Sequence, residues 1–204
     1  MQNVYQQFLA GLKETSIQEY IAVFLGIAST FLSKMENIWV YPTGIVSTAI
    51  YILISFEGEL YAEAGLNIYY TLMSIYGWWL WSNKDNIKDK FVITRNNGKD
   101  WVQTSLFFLL MFTVLFFILK KYTPSTVPIE DAVASASAYT AMFLMNKKKV
   151  ESWYWWILTD LISMPLYFMK GYVFTSVQFL VFLVIAITGL FAWLKKSQQN
   201  NQLA

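Results

Sequence analysis

The sequence predicts an all-α membrane protein: seven transmembrane helices forming two parallel three-helix repeats joined by a linker helix. Three observations carry this. Of 204 residues, 56% are hydrophobic and 19% aromatic but only 14% charged, far from the balance of a soluble domain. The apolar residues fall into seven stretches of about 17–25 residues, the length that spans a ~30 Å hydrocarbon core. Motifs of the third stretch return in the seventh.

The first 17 residues are mixed and polar and read as an external tail or short surface helix. No apolar run in them precedes a small-residue cleavage site, so the first span acts as its own insertion signal. The spans then fall at 18–35, 38–56, 60–82, 103–120, 129–146, 153–169 and 174–194. The fifth is the least apolar, and its Ala/Ser-rich face suits close helix packing. Between the third and fourth spans, 83–102 is a polar loop with Asn96-Asn97-Gly98 as a turn signal. Residues 195–204 form a polar tail.

Loop charge orients the chain. With alternating loops, four Lys/Arg fall on the side of the N-terminus, the second, fourth and sixth loops. Eleven fall on the other, including Lys34, Lys84, Lys88, Lys90, Arg95, Lys99 and Lys147 to Lys149. The positive-inside rule puts the N-terminus outside and the C-terminus in the cytoplasm.

The internal repeat rests on short matches. Gly77-x-x-x-Trp81 returns as Gly189-x-x-x-Trp193, 112 residues on. Glu36 pairs with Glu151 at a spacing of 115, Ser47 and Tyr51 with Ser163 and Tyr167 at 116, and Gly58 with Gly171 at 113. Their common order makes 18–82 and 129–194 two copies of one unit. The odd linker at 103–120 lets both copies keep the same orientation.

Several function classes drop out. There is no histidine and no cysteine, so His-based zinc sites, thiolate sites and Ser-His or Cys-His pairs are excluded. No paired-carboxylate spacing, metal cluster or cofactor motif stands out, so an intramembrane enzyme is disfavoured; a structural or receptor subunit is the other competing class. Phosphate-binding glycine patterns are absent, and a net charge of +2 gives no sign of nucleic-acid binding.

Polar groups at membrane depth usually face a cavity or a partner, which gives the outline of a transporter. Trp153, Trp156 and Asp160, at i, i+3 and i+7, share one helical face. Indole faces attract cations, and a carboxylate accepts hydrogen bonds, so this trio suits a flat cationic ring. Trp155, Trp39 and Trp193 are instead expected in the interfacial belt. In the third span Glu63, Asn67, Tyr70, Ser74 and Trp78 form a polar stripe that should look into the bundle. Asn67 can serve either a ligand or an interhelical bond. In the fifth, Asp131, Ser135 and Tyr139 recur at i, i+4 and i+8, with Asp131 doubling as a helix cap. Tyr51 adds a phenol from the second span, Gln178 an amide from the seventh, and Pro165 can bend the sixth.

These residues resemble the PnuC family of vitamin transporters. The resemblance is carried by Trp153-x-x-Trp156-x-x-x-Asp160, the preceding Asn146-Lys147-Lys148-Lys149-Val150-Glu151, and Ile75-Tyr76-Gly77-Trp78-x-x-Trp81, with Leu60-Tyr61-Ala62 ahead of Asn67. It covers roughly residues 18 to 196. It implies a SWEET-like fold in the cell membrane and passive uptake of nicotinamide riboside, trapped by a cytoplasmic kinase. It also implies substrate contacts at Trp153, Trp156, Asp160 and Asn67, and homotrimers in related assemblies. Asn67 departs from the Gln frequent in nicotinamide riboside members, so thiamine uptake is the alternative; other relatives move riboflavin or deoxynucleosides.

Overall fold

The computed structural model describes residues 4–57, 61–83, 92–123 and 125–202, so Gly58, Leu60, Lys84, Lys88 and Lys90 lie outside the described residues. Eight helices follow in order: α1 Val4–Glu14, α2 Ile17–Lys34, α3 Val40–Glu57, α4 Tyr61–Ser82, α5 Gly98–Tyr122, α6 Pro128–Asn146, α7 Ser152–Met169 and α8 Val173–Gln202. Among the described residues the only β pairing is an isolated parallel bridge between Thr94 and Lys149.

The predicted spans correspond to α2 through α8, with two extensions. Helix α5 starts five residues before the predicted span because Asn97 caps it. The Asn97 side chain accepts from Asp100 N (2.9 Å), and the Asp100 carboxylate accepts from Asn97 N (3.1 Å). This is a capping box, not a free turn. Helix α8 runs on through the polar tail, since Lys, Ser and Gln support a helix outside lipid as well. The N-terminal segment forms α1, which lies against α8 with Phe8 and Phe174 rings 6.3 Å apart.

By length and composition alone α3, α5 and α8 can each cross a membrane. The other long helices carry the polar side chains, which in lipid must turn inward. Helix α3 packs between α2 and α4, and α7 between α6 and α8. Helix α2 also packs on α8, α4 on α6, and α5 on α6.

One end of the bundle, carrying the α2–α3 and α6–α7 turns, is closed by crossed aromatic rings. Tyr41 of α3 meets Trp81 of α4 edge to face at 5.2 Å and 90°. Trp153 of α7 meets Trp193 of α8 at 5.6 Å and 90°. The indole N–H of Trp81 donates to Asn146 O (3.2 Å), and that of Trp193 to Lys34 O (3.3 Å). Glycine makes each crossing possible. A Cβ at Gly189 would lie 2.7 Å from Trp153, and one at Gly77 would lie 2.6 Å from Tyr41 Cζ. Trp193 is therefore fully buried, correcting the belt expectation, whereas Trp39 is 63% exposed, where a belt residue belongs. Trp155 packs on Phe108 of α5, 4.8 Å away, not at an interface.

These paired contacts share one register. Residues 41, 77 and 81 return as 153, 189 and 193. Ser47 Oγ donates to Ala22 O (2.7 Å) and Thr159 Oγ1 to Ala134 O (3.2 Å), again 112 apart. Ser33 donates to Met145 Sδ (2.9 Å), its own counterpart at a separation of 112. Spacings of 115 and 116 place Glu36 and Ser47 three and four residues out of this register. Glu36 faces Lys148 instead.

Overpacking a filled site costs about 1–3 kcal/mol. Gly189→Ala and Gly77→Ala should each lower the apparent melting temperature of detergent-purified protein by several degrees. Gly65→Ala, whose Cβ would meet nothing within 4 Å, should leave it unchanged or raised, because alanine favours helix over glycine by about 1 kcal/mol. Identical melting of all three variants would contradict the clamped rings.

Candidate functional site

A cavity of about 310 Å³ lies between the two sets of packed helices, bounded by α2, α3, α4, α6, α7 and α8. Its floor is the closed end, where Tyr41, Ser33, Met145 and Trp153 line it. Its far limit is marked by Asp131, Leu166, Tyr167 and Phe179. Trp153 and Tyr167 stand at opposite ends of α7, so the cavity runs roughly 20 Å along that helix at 1.5 Å per residue.

Helix α7 supplies the sharpest features. Trp153 is fully buried, with its ring held between Trp193 and Gly189, so it forms a rigid floor and has little free face to offer. Trp156, one turn on, presents its indole to the cavity beside Tyr70 of α4, ring centres 6.2 Å apart. Asp160, another turn on, lines the cavity and is only 3% exposed. Among the described residues it receives neither a hydrogen bond nor an ion pair. An uncompensated carboxylate at this depth costs several kcal/mol. What enters the cavity must therefore neutralise it, as a proton or as a cation with hydrogen-bond donors.

The walls opposite are rich in hydroxyls. Ser74 of α4, Ser135 of α6 and Ser163 of α7 all line the cavity and are spent on no partner among the described residues. Thr48 of α3 is engaged, sharing a 2.7 Å hydrogen bond with Thr71. Glycines at 26 and 44 keep the α2–α3 wall low: a Cβ at Gly44 would stand 3.0 Å from Ser29 Oγ. The combination of one aromatic face, one carboxylate and scattered hydroxyls suits a flat cation bearing hydroxyl or amide groups.

At the far end Asp131 does not reach freely into the cavity. Its carboxylate accepts from Ser125 Oγ (2.5 Å) and pairs with Lys170 at 3.1 Å. Tyr167 donates to Glu63 Oε1 across 3.4 Å, joining α7 to α4.

The cavity thus gathers Trp153, Trp156, Asp160, Tyr70, Ser74, Ser135 and Asp131. Asn67, Trp78, Tyr139, Glu63 and Tyr51 do not line it. Helix α4 shows the cavity its Leu66, Tyr70 and Ser74 edge. Asn67 and Trp78 lie roughly 60° and 80° round from Tyr70 at 3.6 residues per turn. The Asn67 amide donates to Glu63 O of its own helix (2.9 Å), and Trp78 is 42% exposed. Tyr139 backs the wall, its ring 4.1 Å from that of Tyr69. Tyr51 lies against Gln178.

Sequence reasoning missed Tyr41 and Thr48 as lining residues, yet the signal was present. Carrying the Gly-x-x-x-Trp spacing of 112 back from Trp153, Trp156 and Asp160 gives Tyr41, Gly44 and Thr48. All three line the cavity.

A multi-pass helical bundle around an aromatic, hydroxyl-lined cavity that holds the unpaired Asp160 carboxylate defines a membrane transporter of a small polar molecule. Residues 16–195 match the nicotinamide mononucleotide transporter family, and the chain belongs to it. The family resemblance of the Trp-x-x-Trp-x-x-x-Asp segment is thereby borne out. The chain is 22% identical to the nicotinamide riboside transporter PnuC of Escherichia coli K12, over 96% of this chain and 92% of that protein. It is 25% identical to the riboflavin/roseoflavin transporter RibM of Streptomyces davaonensis, over 90% and 87% respectively. Among solved structures, the crystal structure of the vitamin B3 transporter PnuC shares the fold with a TM-score of 0.72. It is 19% identical, and the match covers 96% of this chain and 88% of that one.

Proposed function

We propose that the protein imports nicotinamide riboside across the cell membrane by facilitated diffusion, with a cytoplasmic kinase trapping the vitamin as its phosphate. The observation that carries this is the unpartnered Asp160 carboxylate one turn from the Trp156 indole in the cavity wall. The pyridinium ring stacks on Trp156, its charge compensated by Asp160. Ribose hydroxyls and the carboxamide find Ser74, Ser135 and Tyr70. Asp131 and Glu63 lend negative charge to the route in.

The architecture in this reading is two parallel three-helix repeats, 18–82 and 129–194, joined by a linker at 103–120. The common spacing of 112 supports it, as does contact between counterparts such as Ser33 and Met145, which belong on an axis relating two halves. Charge bias places the N-terminus outside and the 83–102 loop and C-terminus in the cytoplasm. Assembly as a homotrimer is carried from the family resemblance. Thiamine is the second reading, because its thiazolium is also a flat cation. A flavin is larger, and about 310 Å³ lies at the small end of ligand pockets.

Purified protein in liposomes enclosing a ribosylnicotinamide kinase should accumulate radiolabelled phosphorylated vitamin, without ATP-driven machinery of its own. If calorimetric titration shows thiamine binding tightly and nicotinamide riboside not at all, the substrate assignment falls. Trp156→Ala and Asp160→Ala should each weaken nicotinamide riboside binding at least tenfold. Normal affinity in both would remove this site.

Trp78→Ala, altering an outward-facing ring of the same signature, should bind within about threefold of wild type, the change expected when no ligand contact is lost. A loss as large as that of Trp156→Ala would move the site to the outer face of α4.

A further inference from the structure

The closed end of the bundle is held by an arrangement that neither stacking nor substrate contact explains. The α2–α3 and α6–α7 turns each pass through the left-handed backbone region at a non-glycine residue, Glu36 (φ 59°) and Lys148 (φ 53°). Such conformations are disfavoured for residues with a Cβ and persist where the surroundings fix them. These same two side chains meet: Lys148 donates to Glu36 Oε1, and Lys196 of α8 pairs with Glu36 Oε2 at 2.8 Å. Lys148 is 1% exposed, with its ammonium 4.5 Å from the centre of the Trp81 ring.

We propose that this end is a gate to the cavity, latched by Glu36 between Lys148 and Lys196, and that breaking the latch exposes the cavity on this face. The proposal rests on the transport reading, since a carrier must open each end in turn.

The partition of contacts identifies what must separate. On one side, the α6–α7 turn is braced to its neighbours. Thr94 bridges it from the α4–α5 loop, donating to Lys148 O (3.1 Å) and accepting from Val150 N (3.0 Å). Buried Glu151 holds Arg95 at 3.3 Å and accepts from Asn96 N at 2.8 Å. Asn200 of α8 donates to Ile93 O (3.0 Å). Lys148 and Lys196 thus belong to one braced body. On the other side, Glu36 supplies both ion pairs that tie the α2–α3 region to it among the described residues. Among the described residues the other hydrogen bonds from this region are neutral: Trp193 to Lys34 O, Tyr41 to Asn146 Oδ1 (3.4 Å) and Ser33 to Met145 Sδ. Burial raises the Glu36 carboxyl, but hydrogen bonds and charge from Lys148 and Lys196 outweigh it and hold the group below the usual carboxylate range. The Glu36 carboxyl is therefore ionised near neutrality.

Among the described residues the opposite end shows no comparable closure. Lys170 and Asp131 join α6 to α7, within one set of packed helices. Across the cavity the Tyr167–Glu63 hydrogen bond is long, at 3.4 Å.

The absence of cysteine makes the test direct. A Ser74→Cys reporter in the cavity wall, reconstituted in vesicles, is exposed to a small membrane-impermeant thiol reagent from each face. With Glu36 intact, labelling from the Lys148 face should be slow. Adding Glu36→Gln should speed it at least tenfold from that face, while Glu36→Asp should stay near the intact rate. A separate Glu36→Cys/Lys148→Cys pair, bridged by a short cleavable bifunctional reagent, should stop uptake of nicotinamide riboside. Cleavage should restore it, and this arm stands even if Glu36→Gln fails to fold. Unchanged labelling in Glu36→Gln, or full transport through the bridged pair, overturns the latch. A wild-type protein that takes up neither nicotinamide riboside nor thiamine overturns the transport reading instead.

Discussion

Lipid offers no partner to a hydroxyl, an amide or a charge, so each polar group on these helices must be satisfied within the protein. Most solve this locally. Thr30, Thr104, Thr113, Thr140 and Thr188 each donate to a carbonyl four residues back on their own helix. Asn67 does the same with its amide. These groups are spent on backbone and offer little to a ligand. Against that background the cavity-lining groups left without partners among the described residues, including Asp160, Ser74, Ser135, Ser163 and the Trp153 indole N–H, stand apart. The chain withholds the cheap solution where a substrate can supply the missing bonds.

The same constraint explains what was legible in the sequence. Apolar stretches long enough to span a bilayer fixed the approximate bounds of α2 to α8. Trp153, Trp156 and Asp160 could be placed together because i, i+3, i+7 geometry on one helix is rigid. The α4 stripe was harder. Glu63, Asn67, Tyr70, Ser74 and Trp78 fall within one broad face, but a helix face spans more than a cavity can touch. Which edge points inward depends on neighbouring helices, and that rotation is a property of packing. Trp193 was assigned to an interface from its nearness to a helix end. Only the void left by Gly189 and the ring of Trp153 reveal that it is core.

Both halves use a similar closing device, a glycine on one helix admitting an aromatic ring from its neighbour, capped by a tryptophan four residues on. Above that device they diverge. Where the later half has Trp156 and Asp160, the earlier half has Gly44 and Thr48. Removing bulk from one wall and charging the other turns a repeated framework into a one-sided pocket. The free space therefore lies above α3, facing α7. The floor residues, by contrast, keep aromatic character in both halves, because sealing needs bulk from both sides.

The meeting of Glu36 with Lys148, 112 positions apart, also bears on symmetry. Two copies of one half-length polypeptide, arranged about a two-fold axis, would present the same residue at both positions. Carboxylate would confront carboxylate, or ammonium would confront ammonium, and the two would repel. Within one chain the two positions are independent, and here they carry opposite signs and pair.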